Sequence, residues 1–436
     1  MGLVRQSQSK ETVYGGGNEV RNDERPSPSA SAGSDLPVLP IPMSGPDLEE
    51  ADATAVAAVL RSGMLSIGPK TQAFEEAFAA YVGTRHAVAV SSGTAGLHLG
   101  VIAAGVSGGD LVITSPFSFV ASANVLLYEH AHPIFVDIDP DTLNIDAAQA
   151  AEAAQALTGG TSDAGRWLPP SVRATPASAG PLKAILPVDV FGQPAHLDAI
   201  MGIARLHGLP VIEDACEAIG AEYKGSRVGA TADASVFAFY PNKQMTTGEG
   251  GIVATDRDDW ADLFRSLRNQ GRDKGDTWLS HSRLGYNYRL DEMSAALGIR
   301  QLARIEELLA KRQQVADWYG ERLGDVAGVA LATVAPETTR MSWFVYVVRL
   351  DPAVDRDRVA AELAERGVPT RSYFAPLHLL PFYRERFGFG PGDFPVTEAV
   401  AASTLALPFS GTMSADQVDY VATILSEAMA ATGVSR

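Results

Sequence analysis

Short apolar runs recur along the chain at 86–90, 111–114, 133–136, 184–187 and 211–213, with helix-patterned stretches between them at 95–104, 119–129, 147–156 and 197–206. The runs are continuously apolar, so each strand would be buried on both faces. Strands of that kind alternating with helices predict an α/β fold with a mainly parallel central sheet covered by helices. Two further apolar runs, 234–239 and 252–255, extend the sheet. Helical patterns at 48–60 and 71–81 precede it, and a long one at 291–323 follows it. The remaining pattern is a strand near 342–350, helices near 356–366 and 414–430, and a loop region over 376–392. It predicts a smaller α+β C-terminal domain over 326–436, after a large domain over 37–325.

Two segments depart from this rhythm. Residues 1–36 are polar and rich in Ser, Gly and charge, which cannot bury a core and predicts a disordered tail. Residues 156–181 are rich in Ala, Gly, Ser, Thr and Pro and read as a surface insertion.

The candidate chemistry lies where apolar runs end. The run 234–239 leads into Tyr240-Pro241-Asn242-Lys243-Gln244-Met245-Thr246-Thr247-Gly248-Glu249-Gly250-Gly251. A lysine held between packed strands is partly desolvated, which favours the neutral amine, and a neutral amine can form a Schiff base with a carbonyl. Taken alone, the same pattern also describes a surface lysine beside a glycine turn. Pro210-Val211-Ile212-Glu213-Asp214 ends in two carboxylates at the carboxyl end of a strand, where open α/β sheets carry their working residues. A carboxylate there can pair with a protonated pyridine nitrogen, and it can equally cap the next helix. In Val88-Ala89-Val90-Ser91-Ser92-Gly93-Thr94-Ala95-Gly96 a strand runs into a helix start. Its free N–H groups suit a phosphate, though Ser-Gly-Thr is also an ordinary N-cap. Gly15-Gly16-Gly17 follows no apolar run, so a dinucleotide fold is not favoured.

Together these segments resemble the DegT/StrS-type sugar aminotransferases, fold-type I enzymes that use pyridoxal 5′-phosphate (PLP). The resemblance also takes in Arg61-Ser62-Gly63-Met64-Leu65-Ser66-Ile67-Gly68-Pro69, Pro116-Phe117-Ser118-Phe119-Val120-Ala121-Ser122, Phe191-Gly192-Gln193-Pro194, Gly285-Tyr286-Asn287-Tyr288-Arg289 and Pro376-Leu377-His378. It implies that Lys243 forms the Schiff base and Asp214 partners the pyridine nitrogen. Phe119 would stack on the ring, and Gly93 and Thr94 would hold the phosphate. Asn287 would reach the phosphate site of the neighbouring subunit in a homodimer with a shared active site. Arg289 would bind the donor's carboxylate, and Met64, Ser66, Tyr373 and the rim residue His378 would face the substrate.

The resemblance further implies amino transfer from glutamate or glutamine to a nucleotide-linked keto-sugar. A keto-cyclitol aminotransferase, a PLP-dependent sugar dehydratase and a non-catalytic protein of the same fold are the alternatives. Related dehydratases replace the lysine with histidine, so Lys243 disfavours that reading. The chain departs from the family at Ala238, where a phosphate-binding serine is common, leaving Asn242 as a substitute. It departs again at Glu217, where His or Gln is common near the ring hydroxyl.

The bulk numbers narrow the partners. A net charge of −17 over 436 residues argues against nucleic acid and against an anionic membrane surface. Anionic substrates would need local positive charge, for which Lys70, Lys243, Arg268, Arg272 and Arg289 are candidates. Cys216 is the only cysteine, so an internal disulfide and a cysteine metal cluster are excluded and no metal is expected. No apolar run is long enough to span a bilayer and no signal peptide is visible, so a cytoplasmic enzyme is expected.

Overall fold

In a computed structural model of the chain, the described residues are 40–160, 163–275, 277 and 279–433. The tail expected at 1–36 lies outside them. Seven strands build the central sheet: β1 (His86–Val90), β2 (Leu111–Thr114), β3 (His132–Phe135), β4 (Leu182–Ile185), β5 (Ile212–Asp214), β6 (Ala234–Ala238) and β7 (Gly251–Thr255). Strands β3, β2 and β4 pair in that order, all parallel. Parallel bridges Ile185↔Val211 and Val188↔Asp214 carry the sheet from β4 to β5. It continues through β6, β7 and β1. Only β7 runs against the others. The expected mainly parallel sheet is therefore present. Its strands are buried along almost their whole length, as helices on both faces require.

One consequence decides where chemistry can occur. With β7 alone reversed, the carboxyl ends of β1, β2, β5 and β6 open on the same edge of the sheet. The segments that follow them carry Gly93, Phe119, Asp214 and Lys243. A Cβ on Gly96 would stand 2.7 Å from Val236 Cγ1, and one on Gly100 2.9 Å from Ile212 Cγ2. Both positions need the missing side chain to bring the helix Gly93–Ala103 onto the sheet.

The single long helix expected over 291–323 is two helices, Glu292–Ala303 and Ile305–Leu323. The break falls at Arg304, whose guanidinium is drawn to four carboxylates. The second helix gives Ile305, Leu308 and Leu309 to the core under β6 and β7. It gives Val315, Ala316, Tyr319 and Leu323 to a separate C-terminal core. That core packs an antiparallel three-stranded sheet, Val329–Ala330, Tyr346–Leu350 and Thr404–Leu407, beneath the helices Arg356–Glu365 and Ala415–Ala430. Ile41 packs there too, and the described residues form one compact unit. The expected loop region over 376–392 contains the helix Pro381–Phe387, its buried Tyr383 and Phe387 packed against Phe135 and Phe389. The segment read as an insertion carries two short helices, Ala164–Trp167 and Pro170–Ala174, and buries Val172. Among the described residues no helix is long and apolar enough to cross a membrane.

Candidate active site

The carboxyl edge of the sheet opens into a cavity of about 450 Å3 whose lining includes Gly93, Thr94, Phe119, Asp214, Glu217, Asn242, Lys243 and Tyr373. Eight predicted site residues, far apart in the chain, therefore meet in one space. Lys243 lies in the turn after β6, its side chain only 12 % exposed. Its Nζ stands 3.8 Å from the centre of the Phe344 ring and 3.5 Å from Glu217 Oε1. Asp214 ends β5. Its Oδ2 accepts from Ser122 Oγ at 2.6 Å and its Oδ1 from the Cys216 N–H at 3.2 Å. Ser118 Oγ lies 2.7 Å from Ser122 Oγ behind it. The helix-cap reading of Asp214 is corrected: among the described residues no helix directly follows β5, and the Cys216 N–H closes only a local turn on Oδ1, so the carboxylate keeps lone pairs free for a ligand.

Glu217 is turned inward. Its Oε2 accepts the Phe191 N–H at 2.9 Å. Burial pushes its carboxyl above the usual carboxylate range, opposed by the facing Lys243. Burial likewise raises the Tyr373 phenol, helped by Glu217, and the Cys216 thiol, helped by Asp214. Phe119 is 64 % exposed at the mouth, a costly place for a bare aromatic face and a suitable one for stacking on a flat ring. At the phosphate end Ser92 caps the helix by accepting from the Ala95 N–H. A Cβ on Gly93 would stand 2.8 Å from both Ala238 Cβ and Cys216 Sγ, so the loop lies close against β6. Asn242 Oδ1 is buried without a partner, as a group awaiting a ligand would be. These residues fit PLP: an amine for its aldehyde, a carboxylate for its nitrogen, an aromatic for its face, and a helix start for its phosphate.

Other predicted residues are placed elsewhere. His378 is corrected: it is fully buried, its Nε2 lies 2.9 Å from Glu398 Oε1, and Phe394 packs edge-on at 4.7 Å. Burial holds its imidazole below the usual range, and it braces the C-terminal segment instead of lining the cavity. Arg268 is corrected too: its guanidinium is consumed by Glu75 and the Ala89 carbonyl. Met64 and Ser66 are exposed and do not reach this cavity within one chain. The segment they share is tied to the next helix by Ser66↔Asp291 pairing and the Glu292 N–H on Leu65 O. Asn287 is exposed and bridged to Asn269, and Arg289 donates to Asn269 Oδ1 at 3.1 Å. Arg289 lines a different groove, together with Arg265, Arg268 and Arg272. Lys70 points to solvent while its N–H caps onto Glu292.

Two contributors escaped the sequence reading. Ser122 ends the Pro116–Ser122 segment, where nothing local marked it out. Arg312 was hidden in a helix, yet it left a signal. It occupies the buried stripe of Leu308, Leu309, Val315 and Ala316, where a charge is out of place. Its Nη2 donates to Asn242 O at 3.1 Å and Lys243 O at 2.8 Å. Its Nη1 donates to Trp343 O at 3.3 Å and Phe344 O at 3.1 Å.

A mainly parallel sheet with one reversed strand, bearing a buried lysine and a strand-end aspartate at its carboxyl edge, defines a fold-type I PLP-dependent aminotransferase. The comparisons with known proteins make the class specific. The chain belongs to the DegT/DnrJ/EryC1/StrS aminotransferase family, whose sequence profile matches residues 46–426. It is 36 % identical over 394 residues to the spore coat polysaccharide biosynthesis protein SpsC of Bacillus subtilis, covering 87 % of this chain and 95 % of that protein. It is 36 % identical over 366 residues to the GDP-perosamine synthase of Caulobacter vibrioides, covering 84 % and 91 %. DesV of S. venezuelae, solved with a ketimine intermediate, superposes with a TM-score of 0.76 at 32 % identity, covering 86 % of this chain and 94 % of that one.

Proposed function

We infer that this aminotransferase moves an amino group from glutamate or glutamine to a keto-sugar linked to a nucleotide, in the biosynthesis of an amino sugar. The observation that carries the reading is the single cavity joining Lys243, Asp214, Phe119 and the Gly93–Thr94 helix start. The sugar-directed names of its relatives favour a sugar acceptor over a cyclitol.

PLP, when bound, supplies an electrophilic aldehyde and an electron-withdrawing ring. The chain does the rest. Lys243 Nζ would hold the cofactor covalently and, when free, would carry a proton from the donor's α-carbon. Asp214, oriented by Ser122 and the Cys216 N–H, would accept a hydrogen bond from the ring nitrogen and keep that nitrogen protonated. Phe119 covers one face. Asn242 completes the polar lining in place of the side chain that Ala238 lacks. In a homodimer Asn287 and Arg289 would serve the cavity of the second copy, Asn287 at the phosphate and Arg289 at the donor's carboxylate.

Borohydride treatment of the PLP-loaded protein followed by peptide mapping should place the label on Lys243. A label on another lysine removes the assignment. A panel of nucleotide-linked 3-keto and 4-keto sugars, with glutamate as donor, should yield an aminated sugar. Amination of a keto-cyclitol alone would transfer the reading to that alternative. Sedimentation should show a dimer or larger, and an active monomer would exclude Asn287 acting across subunits.

A further inference from the structure

The geometry points to Glu217 as the group that takes the proton from the Lys243 ammonium and frees the amine for attack on an aldehyde. This rests on Lys243 being the reactive lysine. Glu217 Oε1 lies 3.5 Å from Lys243 Nζ, and the two side chains are 9 % and 12 % exposed. The other oxygen, Oε2, is fixed by the Phe191 N–H at 2.9 Å. That N–H is presented by a turn with two left-handed residues, Phe191 at φ 58° and Gly192 at φ 94°. At Gly192 a Cβ would lie 1.6 Å from Ser342 O and 3.0 Å from Glu217 O, so only glycine fits there. Gln244 Nε2 donates to Glu217 O at 2.6 Å. The residue following Lys243 is thereby tied to the backbone of Glu217, which fixes the separation of acid and amine.

The neighbours leave this role to Glu217. Asp214 and Cys216 face it from its own segment, Lys243 from the turn after β6, and Tyr373 from the C-terminal segment. Among the described residues Asp214 makes no ion pair with Lys243, whose carboxylate partner is Glu217. The Tyr373 phenol and Cys216 thiol are both raised by burial, which keeps them protonated. Among the described residues only Glu217 places a carboxylate oxygen within 4 Å of Nζ.

The transfer balances simply. One N–H bond of the ammonium breaks, an O–H bond forms at Oε1, and a neutral amine faces a neutral carboxyl. Two opposite charges vanish together, which suits a buried site where each charge is costly. The amine then forms an N–C bond to an aldehyde carbon. The aldehyde oxygen leaves as water with the two remaining amine protons.

The test uses the full chain stripped of cofactor. PLP is added over a range of pH, capture is followed by absorbance, and borohydride-reduced samples are mapped. Wild type should capture PLP on Lys243 rapidly at neutral pH. Glu217→Gln should capture it about 100-fold more slowly there, within the range that a positioned acid–base group supplies. Its rate should recover as pH rises, because hydroxide then removes the proton. Glu217→Asp should restore part of the loss. Affinity for pyridoxamine phosphate, which cannot react with the lysine, should stay within about twofold of wild type in the Gln variant. Wild-type capture rates in Glu217→Gln at every pH would overturn the inference. So would a parallel loss of pyridoxamine phosphate affinity, which would make Glu217 a shaping residue only. A wild-type label away from Lys243 would overturn the lysine assignment itself, a distinct outcome read from the map and not from the rates.

Discussion

Arg304 and Arg312 stand about two turns apart at the start of one helical stretch, both with buried side chains, and they are satisfied in opposite ways. Arg304 gathers carboxylates: Asp47 at 2.9 Å, Glu49 at 3.0 Å, Glu307 at 3.1 Å and Asp52 at 3.8 Å. Arg312 gathers four backbone carbonyls, from Asn242, Lys243, Trp343 and Phe344. Glu307 and Asp47 hold the Arg304 guanidinium above its usual range, whereas burial lowers that of Arg312 to about 10. A cation met by carboxylates is neutralised and serves as a knot between helices. A cation met by carbonyls keeps its charge and dictates where the backbone lies. The first arrangement pins Asp47 and the 49–52 turn. The second pins the reactive lysine against the Phe344 ring.

The difference can be broken experimentally, and the largest effect is expected at Arg312. Arg312→Met leaves four carbonyls short of a donor. It should cost about 3 kcal/mol or more, since each orphaned buried group costs about 1–3 kcal/mol. Melting curves and the yield of borohydride-fixed PLP should both fall, and unchanged values would show the clamp to be idle. Arg304→Met leaves the buried Asp52 held by the Glu49 N–H and Gln301 Nε2 and the more exposed Glu49 and Glu307 in water, so only about 1 kcal/mol is expected. Added salt should shrink the Arg304→Met deficit, because screening weakens its partly exposed pairs, and should leave the Arg312→Met deficit unchanged.

A neutral donor gives a milder case. Ser122→Ala removes one hydrogen bond to the Asp214 carboxylate, worth about 1.5 kcal/mol, so turnover should drop about tenfold while PLP capture persists.

The smallest effect concerns pH, and two glutamates set opposite slopes. Glu307 is held down to about 2 by Arg304 and Lys311. Its contribution is present above the unfolded carboxylate pKa and is lost as pH falls from there through about 2. Glu213 is pushed up to about 7 by burial, and burial with the facing Glu213 raises Asp189 as well. Stability from neutral Glu213 is complete below the unfolded pKa and disappears as pH rises through about 7. Glu213→Gln keeps the group neutral, so its melting temperature should gain on wild type by about 2 °C or more between pH 5 and pH 8. An equal gap at both pH values would show that Glu213 does not change charge between them.

Much of this site was legible because strand ends announce themselves. The turn around Lys243 and the Asp214 that closes β5 follow from apolar runs meeting polar residues, and the cavity contains both. His378 and Arg268 were misread for one shared reason. A polar side chain looks available in sequence until its partner is known, and their partners are Glu398, 20 residues away, and Glu75, 193 residues away. Arg312 was missed for the converse reason. Its partners Asn242 and Lys243 lie 70 and 69 residues upstream, and only the interrupted apolar stripe hinted at them.

Local patterning by itself determined the seven strands, most of the helices and the edge on which chemistry occurs, because strands buried on both faces are written as continuous apolar runs and helix faces recur every three to four residues. Only the tertiary structure decided that Glu217 turns towards the lysine, that Arg312 grips its backbone and that His378 is sealed away. Hydrogen bonds and ion pairs depend on distances of a few ångströms between residues remote in sequence, and no repeat along the chain encodes those distances.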